Sequence, residues 1–441
     1  MSGPGVNASV DAAYTAASAV TLDSLGRVGT EAAPYRMTGW DTLIGGIPVL
    51  TGDAPLQPLE ASGPTPLEAL EALLVQVLAR PPCVVGFSGG RDSSAMLAVS
   101  LDVARRNGLP EPVPVTLRYP GDSDADESEW QEMVVQHLGI SEWERIDIPP
   151  SSSDMLGEVG GASLVAHGMI WPSSLHLLGT WLPRCAGATV ITGEAGDEIL
   201  GPRRATPVRL AARIGRHHPR SLSRGLFAKL AEETLPPRLR ADACRRRLAA
   251  AGYLDWLQPE LREQSLRDVA RLTAREPWSW REAIRRHPRS PRLLLGETNR
   301  SWLARFHNVR YCHPLLATSV VDAIARHGGR LGYAGRTDAM RRIFGSLLPE
   351  AVVARSTKAS FNSAITGPAT RSFAQSWDGT GVPTDLVDID RLRMLWKREV
   401  PHVGTLPLLQ AAWLTRQLAG STGAQAWEFD RRAGDNDRGE T

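Results

Sequence analysis

Between Cys83 and Thr192 short apolar runs alternate with stretches of helical periodicity, and few architectures accommodate that order. The runs are Cys83–Phe87 (CVVGF), Val113–Tyr119 (VPVTLRY), residues 144–148 and Ala188–Thr192 (ATVIT). Helical patterns lie between them, from about Asp92 to Asn107 before Gly108, from about Ser128 to Leu138 before Gly139, and near 173–185 after a loop rich in Pro, Ser and Gly. Strands that are apolar throughout are buried on both faces, so the alternation predicts an α/β fold: a parallel sheet with helices on both faces. The unit opens at Thr65-Pro66-Leu67-Glu68, which supplies an N-cap, a first-turn proline and a capping-box glutamate. Leu67, Leu70, Leu74, Val77 and Leu78 then recur at helical spacing until Pro81-Pro82 stops them.

This α/β core is expected over 65–202. Past about residue 200 the β-branched runs disappear and helical patterns continue to about 420, which predicts a mainly helical subdomain over 203–420. Residues 1–64 read as an irregular N-terminal arm with a short hairpin around Gly45-Gly46 (38–52), and 421–441 as a polar, frayed tail. A chain of 441 residues with 42% hydrophobic and 22% charged residues is neither disordered nor fibrous. No stretch approaches the ~18 apolar residues that span a bilayer, and the first twenty residues lack the basic-then-apolar order of a secretory signal. The expected location is the cytoplasm, with no membrane partner. Cys83, Cys185, Cys244 and Cys312 are scattered without a C-x-x-C pair, so neither a zinc site nor a disulfide framework is indicated and buried thiols are expected.

The formal charge of +2 is unevenly spread, since residues 201–300 hold 23 Lys/Arg against 10 Asp/Glu. Such asymmetry suits an anionic partner. Yet all but three of the 50 basic residues are Arg, a usage that a GC-rich coding sequence produces by itself, and solvated helix faces absorb such charge. The three lysines are Lys229, Lys358 and Lys397.

The strongest local motif is Phe87-Ser88-Gly89-Gly90-Arg91-Asp92-Ser93-Ser94, between a buried strand and the first turn of a helix. In open α/β sheets ligands bind at that junction, beyond the carboxyl ends of the strands. Paired glycines let the backbone approach an anion, the helix N-terminus attracts phosphate, and Ser88, Ser93 and Ser94 add hydroxyl donors. Asp92 would repel a phosphate unless a cation intervened, which argues for Mg²⁺ bridging carboxylate and phosphate. The lysine of a G-x-x-x-x-G-K-[ST] loop is absent. The second motif, Ile191-Thr192-Gly193-Glu194-Ala195-Gly196-Asp197-Glu198, again follows a strand, and a neighbouring parallel strand would bring Asp197 to the crevice of Asp92.

The first motif resembles the SGGxDS pyrophosphate loop of the N-type ATP pyrophosphatases, which implies ATP cleavage between the α and β phosphates. Together the two motifs resemble the synthetase domain of asparagine synthetases, β-lactam synthetases and lasso-peptide macrolactam cyclases, over about residues 66–415. The resemblance implies a PP-loop, adenine nucleotide α-hydrolase-like fold. It places the metal-binding aspartates at Asp92 and Asp197 and the adenosine contacts at Phe87, Leu117, Thr192 and Gly193. Where β-lactam synthetases carry a Tyr in the second motif, this chain has Glu194.

A third stretch, Leu348-Pro349-Glu350 through Arg355-Ser356-Thr357-Lys358-Ala359-Ser360-Phe361, resembles the family's R-x-K-x-x-F with one residue more between Arg and Lys. The resemblance brings Lys358 to the phosphates and the acyl-adenylate, with Arg341, Arg342 and Arg355 as assistants; a cation there would stabilise the negative charge that develops. A fourth, Val309-Arg310-Tyr311-Cys312-His313-Pro314-Leu315-Leu316-Ala317, aligns with the family's VEARVPFLD. The glutamate that handles the nucleophile in asparagine and β-lactam synthetases then falls on Arg310, and on Asn308 in a shifted frame. Deprotonation is left to Glu194, to a histidine such as His313, or to substrate and solvent.

Asparagine synthetases begin with Cys at position 2 and a glutaminase domain, whereas Ser2 opens an arm of about sixty-five residues here, so no glutaminase is expected on this chain. The resulting expectation is an ATP-dependent, AMP-forming amide ligase that uses ATP and Mg²⁺. Its profile is nearest the lasso-peptide cyclases, with a peptide carboxylate as substrate and a leader-binding protein and leader protease as partners. The rivals are a small-molecule amide synthetase using ammonia or a free amine, a PP-loop tRNA-modifying enzyme, and a non-catalytic subunit that retains the fold. Nucleic acid is disfavoured by the few aromatics near the Arg-rich stretch and by the missing cysteine pair.

Overall fold

The computed structural model describes residues 6–20, 22–24, 26–27, 33–48, 55–217 and 223–419. Its centre is a five-stranded sheet of β1 (Cys83–Gly86), β2 (Val113–Arg118), β3 (Glu144–Asp147), β4 (Thr189–Ile191) and β5 (Arg310–Cys312) in the order β3-β2-β1-β4-β5. Every neighbouring pair is parallel. The register Val84↔Val190↔Tyr311 and Val85↔Ile191↔Cys312 sorts side chains onto two faces. Val85, Ile191 and Cys312 join one apolar cluster, and Val84, Val190 and Tyr311 pack with a second. Both faces are therefore buried under helices, as the unbroken apolar strands require.

The N-terminal segment departs from the expected irregular arm. A helix, α1 (Val6–Ser18), buries Ala13 and Ala17 in a cluster with Ile47, Leu294 and Leu295. In place of the hairpin stands α2 (Gly39–Leu43), a one-turn helix that Thr38 caps with Asp41 in a capping box. It buries Trp40 and Leu43, and Gly45 and Gly46, at φ +81° and +128°, carry the chain out of it. The glycine pair that suggested a hairpin ends a helix too short to show periodicity. Residues 49–52 of that segment and the tail 421–441 lie outside the described residues.

The α/β core follows its sequence signals closely. Thr65 caps α3 (Pro66–Leu78) through a capping box with Glu68. Then come α4 (Arg91–Arg106) and α5 (Ser128–Leu138), the latter ended by Gly139 in the left-handed region. Two differences follow: α6 (Glu158–His167) lies in the stretch read as loop, and residues 173–185 form tight 3-10 turns rather than an α-helix. A short helix, α7 (Gly196–Ile199), follows β4. The helices Thr318–Gly328 and Arg336–Phe344 add Val320, Ile324, Met340 and Phe344 to the cluster that covers α3 and α4. The expected boundary at 202/203 is crossed by this core and by β5, which joins the sheet from the stretch read as mainly helical.

The strand order reverses between β1 and β4, where loops on opposite sides leave a crevice at the carboxyl ends. The two motifs leave the sheet there and pack against each other with almost no space between. A Cβ on Gly193 would lie 2.6 Å from the carbonyl carbon of Asp92, and one on Gly196 would lie 2.2 Å from Asp92 Cγ. Gly193→Ala is thus expected to destabilise the fold by about 1–3 kcal/mol through overpacking against backbone. Gly215→Ala, in a helix with nothing within 4 Å of the added methyl, is expected to be neutral or slightly stabilising. Urea-unfolding midpoints of the two variants check the pair.

Candidate active site

β1 delivers Phe87 straight into the crevice. Its N–H bonds Val115 O at 2.8 Å, its carbonyl accepts from Thr116 Oγ1 at 2.7 Å, and its side chain is buried. Ser88 to Gly90 then turn sharply, with Gly89 at φ +83° and Gln131 Nε2 donating to Ser88 O at 3.1 Å. Ser93 Oγ donates to Gly90 O at 3.0 Å and lies 3.1 Å from Ser88 Oγ, which ties the turn to the first turn of α4. Gly90 is the N-cap of this sixteen-residue helix and provides no side-chain cap, so the positive dipole end and its N–H groups face the crevice. Ser88, Gly90, Asp92 and Ser93 line a cleft of about 670 Å³. Ser94 does not: one residue further round the helix, it is fully buried with its hydroxyl unpartnered, so its assignment as a phosphate donor is corrected.

Thr192, Gly193, Glu194 and Asp197 line the same cleft. Asp92 and Asp197 are brought together, and the guanidinium of Arg336 pairs with both, Nη2 on Asp92 Oδ2 and Nη1 on Asp197 Oδ1. Lys358 Nζ donates to Asp197 Oδ2 at 2.9 Å from an otherwise exposed side chain. Arg336 opens the helix Arg336–Phe344 and carried no motif that marked it in sequence.

An unanticipated residue, Glu127, holds the lysine-bearing segment in place. Its buried carboxylate pairs with both terminal nitrogens of Arg355 and accepts from Ala359 N at 2.9 Å. Arg355 also donates to Gly89 O at 3.0 Å and lies over the Trp130 ring at 4.5 Å. One buried ion pair therefore joins the turn after β1, the start of α5 and the strap 355–361. Arg355 acts as a clamp, and Arg341 pairs with Glu350 at an exposed position outside the cleft lining.

Beneath the second motif runs a buried charge network. His313 Nδ1 lies 2.7 Å from Thr192 Oγ1, and His313 Nε2 lies 2.5 Å from Glu297 Oε2. Arg300 joins Glu297, at 3.2 Å, to Glu194, at 3.1 Å. Burial opposes the Glu297 charge, yet Arg300 and His313 hold its carboxyl well below the ordinary carboxylate range, while Glu297 and Glu194 push Arg300 above its ordinary value. His313 is 1% exposed beneath the second motif, whereas Glu194 is partly exposed and lines the cleft.

Arg310 is a correction. It begins β5, pairs in register with Thr189 rather than with the far end of β4, and is exposed with Nε 3.4 Å from Thr189 Oγ1. Three residues of strand, about 10 Å, separate that edge from Thr192, so Arg310 stands at the amino ends of the strands and not at the site.

Beside the polar cleft, sharing Gly86 and Ser88 with it, is an apolar bay of about 250 Å³ lined by Phe87, Leu117, Tyr119, Trp181 and Phe361. Tyr119 and Phe361 rings meet at 5.6 Å. Flat aromatic walls of this kind suit a planar heterocycle. The donor set also fits Mg²⁺. Asp92 Oδ1 is buried without a hydrogen-bond partner, and among the described residues no group of three or more His, Cys, Asp or Glu is placed to hold an ion alone. Magnesium is held in just this way, by one or two carboxylates plus substrate phosphates. Cys83, Cys185, Cys244 and Cys312 are all buried thiols, and burial pushes the Cys312 thiol up to about 12.

The family described as asparagine synthase matches residues 68–422. No curated protein sequence matches the chain. Since that match takes in most of the 441 residues, and with them both acidic motifs and the lysine strap, the chain belongs to the asparagine synthase family of ATP-dependent amide-forming ligases.

Proposed function

We propose that the chain activates a substrate carboxylate with ATP and transfers the acyl group to an amine, releasing AMP and pyrophosphate. The observation that carries this reading is the convergence of Asp92, Asp197, Arg336 and Lys358 beside the Ser88–Gly90 turn and an aromatic bay. The purine lies in the bay, the phosphates pass the free N-terminus of α4, and the carboxylate oxygen attacks the α-phosphorus. An O–P bond forms, the bond to the bridging oxygen breaks, and pyrophosphate leaves. Asp92 and Asp197 would hold Mg²⁺, which supplies charge neutralisation on the polyphosphate. Lys358 lies at the rim, where charge builds on the α-phosphate oxygens and on the tetrahedral carbon. In the second half-reaction the C–N bond forms, the bond from carbon to the AMP oxygen breaks, and Glu194 takes the ammonium proton. Adenylation replaces a poor leaving group with a good one and divides one hard step into two.

Within this reading the substrate is a ribosomal lasso-type peptide whose side-chain carboxylate and own N-terminal amine close a macrolactam in the cytoplasm, with a leader-binding protein and a protease as partners. One feature supports it: in the stretch that aligns with VEARVPFLD, Arg310 stands where the family has its glutamate. Against a nucleic-acid substrate, many arginines of the basic stretch already hold carboxylates, among them Arg204 and Arg240 on Glu233, Arg245 and Arg267 on Glu263, and Arg247 on Glu232.

Carboxylate-dependent exchange of labelled pyrophosphate into ATP tests the chemistry. Asp92→Asn is expected to lower it at least about a hundredfold, the scale of lost electrostatic stabilisation in a preorganised site. Formation of ADP and orthophosphate, or exchange driven by tRNA, would refute the proposal. Lys358→Ala is expected to cut kcat by roughly a hundredfold or more while moving the KM for ATP little, because its charge acts where charge develops rather than on ground-state binding. Incubation with a core peptide is expected to yield AMP and a product lighter by one water; incorporation of free ammonia or an added amine instead would favour a small-molecule synthetase.

A further inference from the structure

Arg336 occupies the position between the two carboxylates that a divalent cation would take. Each terminal nitrogen holds one carboxylate, and the rigid guanidinium plane sets their separation. The third nitrogen, Nε, is buried and has no hydrogen-bond partner, a donor unused in a cleft shaped for an anion. The residue is the first of its helix and follows Gly335, which has φ +131°, so its side chain reaches the carboxylates from a helix start at the rim of the cleft. Arg91, Arg355 and Lys358 also face the cleft, as do Asp92, Asp197, Glu127, Glu194 and Glu198.

We propose that Arg336 is an internal counter-ion that competes with the metal for Asp92 and Asp197 and moves onto the polyphosphate when metal and nucleotide enter together. A bare divalent ion must evict the guanidinium into a site that still holds Arg91 and Lys358, and among the described residues no group of three ligating side chains compensates it. Metal-bound ATP brings phosphate oxygens that take the displaced guanidinium, including the unused Nε. Metal and nucleotide therefore load as one unit. This inference rests on the reading that the cleft binds ATP.

The test titrates the full chain and its Arg336→Gln and Arg336→Lys variants calorimetrically with MnCl₂ alone and with Mn·ATP, and follows their melting temperatures. Arg336→Gln is expected to bind Mn²⁺ alone at least about tenfold more tightly than the parent, the effect of removing one unit charge at ~4 Å from a partly solvated site. It is also expected to bind Mn·ATP at least about tenfold more weakly, and Mn²⁺ alone should raise its melting temperature but not that of the parent. Arg336→Lys, which neutralises charge without bridging, should fall between. Equal Mn²⁺ affinity in parent and Arg336→Gln, with Mn·ATP bound alike by both, overturns the exchange and leaves the nucleotide site standing. Failure of the parent to bind Mn·ATP overturns the nucleotide site and the exchange with it.

Discussion

Asp92 rests against two glycines, and the chemistry of the cleft depends on that contact. Side chains at 193 or 196 would separate the loops after β1 and β4 and carry Asp197 away from Asp92. With glycine at both places, strands far apart in sequence deliver their carboxylates to one point at the reversal of strand order. The parallel sheet supplies the platform, and burial on both faces keeps its strand ends from drifting. What is built above them is a concentration of charge held by ion pairs on three sides.

Those ion pairs have separate tasks. Arg355 with Glu127 is a closed, buried pair that fastens the strap 355–361 over the turn, and losing either partner would strand a charge in the interior, a change that costs several kcal/mol. Glu297 with Arg300 and His313 forms a foundation under Thr192 and Glu194, where the Arg300 charge keeps Glu297 ionised against its burial and the contacts hold the side chains in place. Arg336 and Lys358 are different in kind. They reach carboxylates from helix start and exposed strap, and so belong to the part of the site able to rearrange when an anion arrives.

The helices around β1 and β2 were readable because their ends carry local chemistry, such as the Thr65 capping box and the left-handed Gly139. Both acidic loops were readable because glycine and aspartate at a strand end answer a local steric and electrostatic need. Ser94 misled because a helix turns its next residue by about 100°, away from the ligand that its neighbour faces. The three-residue β5 carries a charged residue and is recruited by β4, so it left no apolar run to notice. Arg336 lies 244 residues from Asp92, and Glu127 lies 228 from Arg355; nothing local distinguishes such residues from solvated charges, and only the tertiary fold selects them. The same holds for the Arg-rich stretch, where the fold sets individual arginines against particular carboxylates, such as Arg240 on Glu233 and Arg213 on the distant Asp338.

The most direct measurement is a crystal structure of the chain with Mn²⁺ and an ATP analogue blocked between the α and β phosphates, with manganese located by its anomalous signal. The account requires a manganese peak coordinated by both Asp92 and Asp197 and by phosphate oxygens, with the purine between Phe87, Tyr119 and Phe361 and the guanidinium of Arg336 on the phosphates. A peak that touches neither aspartate, or a nucleotide seated outside the crevice between β1 and β4, would contradict it.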